Sequence, residues 1–380
     1  MRLKTAGTPV NVQEPVIGRV CVREPEERSE AIFLGPTSGR GGEDFLGYRG
    51  ILSGSVPADV SSFAAVPLIH SLREIDHFSE GDIVVLQPNG FVRTLYRPAS
   101  QHNALFLTER CNSNCLMCSQ PPKDHDDTGF FTALNLELIR LMRPAPSYLG
   151  ITGGEPTLLG DGLFRILAAL RDMLPDTHVH MLTNGRAFAW TDATRALAAV
   201  AHPRLTLGIP LYSDSAVLHD YIVQAHHAFD QTILGLYNLA RWGIQVEIRV
   251  VLHRLTTPRL PELATYICRN LPFAVHVALM GLEPTGYTPR NRDTLWIDPA
   301  NYQRELERAV EILTLSGMNV SIYNSQLCVL TPALWRFARR SISDWKNIYL
   351  SECTACSKIE QCGGLFQSAT QMHSQYLRAL

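Results

Sequence analysis

Two rhythms of apolar and polar positions divide this chain. From about Val16 to Arg97 the apolar runs are short, alternate with polar residues and are broken by Gly and Pro. From Asn103 to about Asn324, strand-like apolar runs take turns with stretches of helical periodicity, the pattern of βα units. The strands it predicts are Leu105 to Thr108, Tyr148 to Thr152, His178 to Thr183, Leu205 to Leu211, Gln245 to Leu252, Val275 to Met280 and Val320 to Tyr323. Between them the spacing predicts helices over Leu134 to Met142, Gly162 to Met173, Asp192 to Val200, Asp230 to Trp242, Arg259 to Asn270 and Pro299 to Leu315. That order makes an α/β fold on a parallel sheet, curled or open.

In the first rhythm, Asp82 to Tyr96 reads as a hairpin turning on Pro88-Asn89-Gly90, and Val16 to Val22 as a further strand. The glycine-rich stretch Gly35 to Gly42 reads as a mobile loop. A chain of 380 residues exceeds the size at which one hydrophobic core stops growing. The expected domains are a β-rich one over residues 1–100, a βα one over 101–324 and a small cysteine-rich extension over 325–380.

Composition narrows the classes of function. With 34 Lys and Arg against 36 Asp and Glu, the net charge of −2 gives no footprint for nucleic acid or an anionic membrane. No run approaches the ~20 uncharged apolar residues of a transmembrane helix, and Met1 to Pro9 lacks an apolar signal core. Nine cysteines without an export signal point to metal ligation or burial in a reducing compartment, so the expected location is cytoplasmic.

Most of those cysteines fall in two groups. Cys111, Cys115 and Cys118 follow the first βα strand with the spacing C-x3-C-x2-C. Three thiolates so placed can wrap one face of a cubane iron–sulfur cluster but hold only three of its four irons. The fourth iron needs a ligand from elsewhere, and an open position on a redox metal is where a substrate or cofactor is activated. A zinc knuckle completed by His102 or His125 is the alternative, although zinc more often takes ligand pairs from separated segments. The second group, Cys328, Cys353, Cys356 and Cys362, can saturate one cubane or one tetrahedral zinc. Cys21 and Cys268 lie in apolar surroundings and read as buried structural thiols.

Further positions stand at strand ends. Gly153-Gly154-Glu155-Pro156 follows the second strand, where bare backbone lets a ligand approach, though a turn uses glycine for steric reasons alone. Thr183-Asn184-Gly185 follows the third strand and by itself is a left-handed turn. Arg249 is a charge inside an apolar strand, so it needs a partner: a ligand carboxylate, or a salt bridge to Glu155 or Glu247. Nothing separates His219, Asp220, His226 and His227 from satisfied helix residues, and no acid–base group is assigned.

The cysteine triplet, Gly-Gly-Glu-Pro-Thr and Thr183-Asn184-Gly185, each one βα unit from the next, resemble the radical S-adenosylmethionine (SAM) enzymes. The resemblance covers roughly Asn103 to the C-terminus. It implies a partial (β/α) TIM-type barrel with its reactive loops at the carboxyl ends of the strands. It also implies that Cys111, Cys115 and Cys118 hold a [4Fe-4S] cluster whose open iron chelates SAM, and that an electron splits SAM to a 5′-deoxyadenosyl radical. In the family the segment Gly153 to Pro156 receives the SAM ammonium, the strand end at Asn184 lines the SAM pocket, and the place of Ser213 bonds the ribose. Met117 stands where relatives carry an aromatic residue, and its thioether is expected against the adenine face. The tail through Cys362-Gly-Gly-Leu-Phe resembles a shortened auxiliary-cluster (SPASM or twitch) extension, with sulfur for a second [4Fe-4S] cluster only.

Within the family, the runs Leu107 to Lys123 and Leu182-Thr-Asn-Gly-Arg look like the maturases of His-Xaa-Ser systems. That implies a peptide maturase taking hydrogen from a ribosomally made precursor peptide, served by an external electron donor and accompanied by a companion maturase or small accessory protein. The β-rich domain would dock a leader or partner through an exposed strand edge. Two alternatives stay open: a radical SAM enzyme acting on a small molecule in cofactor biosynthesis, and a non-catalytic partner protein with zinc in its cysteines.

Overall fold

The computed structural model describes residues 3–340 and 348–380. Its contacts divide the chain into two units. The first takes Met1–Leu105, Phe130–Leu149 and Ala169–Thr177, and the second Phe106–Gly129, Gly150–Ala168 and His178–Leu380. These units cut across the three segments expected from the sequence. Phe130–Leu149 belongs with the N-terminal residues because Arg49 pairs with Glu137 (2.5 Å), Arg140 pairs with buried Glu30, and the Tyr96 hydroxyl donates to the Pro144 carbonyl (3.0 Å). The cysteine tail lies within the second unit.

The first unit is built on eight strands: β1 (Lys4–Ala6), β2 (Thr8–Val10), β3 (Val16–Cys21), β4 (Ala31–Leu34), β5 (Gly50–Leu52), β6 (Leu68–His70), β7 (Ile83–Leu86) and β8 (Phe91–Tyr96). They form one sheet in the order β1-β8-β7-β3-β4-β5-β6-β2. Its two edge strands are separated in sequence by Gly7 alone, so the sheet must curl until its edges meet. Glycine is needed at that corner, because an added Cβ would fall 2.3 Å from the His70 carbonyl oxygen. Strands β7 and β8 form the antiparallel hairpin that the alternation indicates, with Gly90 at φ +80° closing its turn. Alternate residues of β4 to β6 serve two cores: Ile32, Leu34, Leu52 and Ile69 pack on one side, Ala31, Phe33, Ile51 and Leu68 on the other. In the glycine-rich connection after β4, the Arg40 guanidinium lies over the rings of Phe33 and Phe45, 5.4 and 5.6 Å from their centroids. The edges expected to offer a docking strand are only three residues long each.

The βα array follows as β9 (Asn103–Phe106), α1 (Thr128–Leu141), β10 (Tyr148–Thr152), α2 (Asp161–Met173), β11 (His178–Leu182), α3 (Thr191–Val200), β12 (Leu205–Pro210), α4 (Ala216–Val223), α5 (Ala228–Arg241), β13 (Gln245–Leu252), α6 (Leu260–Asn270), β14 (His276–Gly281), α7 (Arg292–Leu295), α8 (Gln303–Leu315) and β15 (Val320–Tyr323). The seven strands make one sheet in sequence order, parallel from β11 through β15. All seven expected strands are present. Helix α1 begins six residues earlier than the apolar spacing suggests, where the Asp126 carboxylate accepts the Thr128 N–H (3.1 Å) and starts the first turn. Helices α4 and α7 escape the periodicity argument because they are short, and α4 buries a histidine among its apolar residues. Among the described residues no helix is long and apolar enough to cross a membrane.

Strand β13 shows how the sheet is loaded. Val246, Ile248, Val250 and Leu252 are fully buried, whereas Glu247, Arg249 and Val251 on the opposite face keep partial exposure. One face is therefore hydrocarbon and the other is free to carry charge. Ile248→Ala should remove about 3 kcal/mol of stability by opening a cavity at a site that cannot collapse. Chemical denaturation checks this against Glu262→Ala on the exposed side of α6, which should be close to neutral.

Candidate metal centres

The loop between β9 and α1 carries Cys111, Cys115 and Cys118, and with no strand ladder or helix of its own it must find partners for its polar backbone elsewhere. At its base the Thr108 hydroxyl and the Glu109 N–H both donate to the Asp127 carboxylate (2.6 Å each). The Asn114 and Leu116 amides donate to the Val223 and Ile222 carbonyls at the end of α4 (3.0 and 2.9 Å). The Arg186 guanidinium donates to the Asn112 carbonyl (2.5 Å) and the Ser113 hydroxyl (3.0 Å), and the Asn291 amide to the Leu116 carbonyl (2.7 Å). Tyr287 N–H closes on the Cys118 carbonyl (2.9 Å). The cysteine loop is thus pinned from three separate segments.

A fourth attachment gives the two glycines after β10 their purpose. Gly154 N–H donates to the Thr108 carbonyl and Glu155 N–H to the Arg110 carbonyl, both at 2.7 Å. A Cβ on Gly154 would lie 1.9 Å from the Arg110 oxygen, and one on Gly153, whose φ is +138°, 2.7 Å from the Thr108 oxygen. What approaches this bare backbone is the cysteine loop itself, and not only a ligand as the sequence suggests. Glu155 is 1% exposed, and its carboxylate accepts from Thr157 N–H (3.1 Å), the Thr157 and Thr183 hydroxyls (2.8 and 2.6 Å) and Asn184 N–H (2.7 Å). Burial pushes this carboxyl upward against the pull of those four donors. Glu155 therefore ties the ends of β10 and β11 together, while Pro156 starts a buried helical turn beside it.

The other positions singled out from the sequence fall as follows. The Asn184 side chain donates to the Asn112 side-chain oxygen (2.6 Å), next to Cys111. Ser213 is buried and its hydroxyl accepts the Ser215 N–H (3.0 Å). Met117 packs in a cluster with Tyr212, Ile222, Val223, Ala228 and Leu295. Arg249 forms its salt bridge with Glu247 (2.7 Å), not with Glu155, and that carboxylate also meets His276 Nδ1 (2.7 Å) and His180 Nε2 (3.4 Å). Burial alone would raise the Glu247 carboxyl, but the two imidazoles and the guanidinium outweigh it and hold it well below the usual carboxylate range. Arg249 thus has a partner within the protein and needs no ligand carboxylate for charge balance.

Of three aromatic residues grouped here, the sequence singles out His219 alone, without a role, and leaves Tyr212 and His253 unmarked. Tyr212, just past β12, lies within electrostatic reach of Cys115, Cys118 and Cys111, and burial carries its phenol far above the ordinary value. His219 stacks on it at 5.8 Å and accepts the Tyr212 N–H at Nδ1 (3.2 Å), and the His253 ring lies 6.5 Å from it. Burial lowers His219 to about 4 and His253 to about 3. The available signal was position: each stands at a strand end or on a helix face directed inward.

The triplet's chemistry suits a metal group. Burial pushes Cys111 up to about 11 and Cys115 up to about 12, and the thiols raise one another through proximity. Such thiols stay protonated until a cationic centre replaces the protons. Among the described residues, the three-member ligand set with all donor atoms within 4.8 Å of one another is Glu109, His125 and Asp127, not a cysteine set. The His125 imidazole faces the Glu109 carboxylate (3.5 Å).

The second cysteine group also comes together. Cys328, Cys353, Cys356 and Cys362 line one pocket with Leu327, Ile359 and Leu365, walls that keep water off the sulfurs. The Tyr349 hydroxyl donates to the Cys362 and Ile359 carbonyls (3.0 and 3.2 Å), and Cys356 N–H to the Cys353 carbonyl (3.0 Å).

Residues 105–267, from β9 into α6, match the model of the radical SAM superfamily. The match spans 163 of the 380 residues. The chain is 30% identical over 163 residues to the pre-heme d1 synthase of Dinoroseobacter shibae, covering 41% of this chain and 38% of that protein. It is 26% identical over 172 residues to an uncharacterised protein of Methanocaldococcus jannaschii, covering 44% and 58%. The chain therefore spans less than two thirds of either relative. A similar solved fold is anSMEcpe with bound AdoMet, at a TM-score of 0.50 and 14% identity over 73% of this chain and 88% of that one. The matched segment holds the triplet, the Gly153 to Pro156 segment and Arg249, while the second cysteine group lies beyond it.

Gly154→Ala should dislodge the cysteine loop with the strands intact. Iron retained after anaerobic reconstitution should fall below that of the unaltered protein, with the far-UV circular dichroism unchanged. His253 supplies a second prediction. Its folded pKa is depressed, so its contribution to stability is complete above the ordinary value of about 6.5 and is lost as pH falls toward about 3. Between pH 7 and pH 5 the loss is about 2 kcal/mol. Urea unfolding at both pH values should show a correspondingly smaller drop in His253→Asn.

Proposed function

We propose that this chain is a radical SAM peptide maturase, with Cys111, Cys115 and Cys118 holding a [4Fe-4S] cluster and SAM at its open iron. Bound there, the cluster and SAM supply a 5′-deoxyadenosyl radical able to take hydrogen from a substrate. The observation that carries this reading is the docking of the cysteine loop on Gly153 and Gly154 within a segment that matches the radical SAM family. The chain's own residues set the geometry: Arg186 and Asn291 fix the loop, Glu155 fixes the strand ends beneath it, and Asn184 and Met117 stand beside the cysteines. Cys328, Cys353, Cys356 and Cys362 hold a second, auxiliary [4Fe-4S] cluster with every iron liganded, suited to passing electrons. The enzyme works in the cytoplasm on a precursor peptide, with an external electron donor and a companion protein of the same system.

The peptide reading is supported by the resemblance of the Leu107 to Lys123 run to His-Xaa-Ser maturases and by the cysteine-rich tail. A second reading, a small-molecule substrate, is favoured by the relative named for pre-heme d1.

Anaerobically reconstituted protein should bind about eight irons and, with SAM and dithionite, release 5′-deoxyadenosine. Cys115→Ala should abolish that release. A protein with full iron that leaves SAM intact overturns the assignment. Mass spectrometry of a precursor peptide co-expressed with the enzyme separates the two substrate readings: a mass change dependent on Cys115 supports the peptide, and an unaltered peptide with active SAM cleavage supports the small molecule.

A further inference from the structure

We propose that residues 374–380 form a strap whose backbone donors set the reduction potential of the group held by Cys328, Cys353, Cys356 and Cys362. This inference rests on the reading of that pocket as a [4Fe-4S] site. The Leu380 N–H donates to Cys356 Sγ at 3.5 Å, and the Arg378 main chain stands near enough to Cys328 to favour its thiolate. Alternate residues of one segment thereby reach two sulfurs that stand in different loops, and both residues line the cysteine pocket.

The strap is held at both ends. Ser374, 2% exposed, donates its hydroxyl to Asp298 (2.7 Å), and Gln375 N–H donates to the other oxygen of the same carboxylate (3.0 Å). Asp298 is itself fixed by accepting the Ala300 N–H (2.9 Å) at the start of a helical turn. At the far end Ser357 N–H, next to Cys356, donates to the Leu380 carbonyl (2.8 Å). Between them Leu377 packs on Leu365, Phe366 and Ala369. A segment so clamped delivers its amides at fixed positions.

An N–H directed at a cluster sulfur favours the more negative, reduced state and raises the potential, and covering the sulfurs from water adjusts it further. Arg378 and Leu380 act here as positioning residues through their main chain. Proline removes the N–H at either position, and alanine retains it, so each pair of variants isolates the donor from the side chain.

The experiment uses the full chain with Cys111, Cys115 and Cys118 changed to Ala, leaving only the tail site to fill. Iron of about four per chain tests the underlying reading, and zinc in its place overturns that reading and the inference together. With iron in place, electron paramagnetic resonance redox titration compares Arg378→Pro with Arg378→Ala, and Leu380→Pro with Leu380→Ala. Each proline variant should titrate at a more negative potential than its alanine counterpart, and the double proline variant lower still. Equal midpoints within each pair overturn the inference and leave the cluster reading standing. Should proline variants fail to load iron, Asp298→Ala releases the clamp from a distance; it should shift the midpoint in the same negative direction, and an unmoved midpoint is equally decisive.

Discussion

Close contact between two stretches of backbone underlies everything at the cysteine triplet. The loop bearing Cys111, Cys115 and Cys118 has no regular structure, and it keeps its shape because Thr108 and Arg110 hand their carbonyls to the amides of Gly154 and Glu155. Side chains are excluded from that junction, which is why two glycines stand there. Glu155 then carries the constraint onward: its buried carboxylate gathers donors from Thr157, Thr183 and Asn184, so the ends of neighbouring strands and the cysteine loop are set as one object. Rigidity of this kind is what a site needs to hold a reactive group in one geometry.

Much of this was legible in the chain. The seven strands of the second sheet announce themselves by length and apolar character, and β10, β13 and β15 have the bounds expected of them. The triplet and the Gly-Gly-Glu-Pro segment are local in sequence, so their spacing survives translation into structure. What escaped were relations between distant residues. Arg249 could be seen to need a partner, but only the pleat of β13, which puts Glu247 on the same face, decides that the partner is two residues away. Glycines after β10 could be read as room for a ligand because sequence does not reveal which backbone comes near. Tyr212 drew no notice and His219 no role, since an aromatic or a histidine in an apolar run has no period that separates packing from proximity to a metal.

The two cysteine groups differ in the way their surroundings are made. The triplet is a short local motif embraced by remote segments, with Arg186, Asn291 and Tyr212 arriving from far along the chain. The tail group is the reverse, a set of sulfurs gathered from several turns and covered by the segment ending at Leu380. Local motifs tolerate variation around them, whereas a gathered set depends on every connection that brings it together.

The curled sheet of the first unit has a consequence of another kind. Because the segments on either side of Gly7 occupy both borders, each border of the folded sheet offers three residues of main chain, a short template for edge-on pairing. Any guest seeking this unit must be recognised by its side chains, since three residues of main chain give too little purchase for strand exchange.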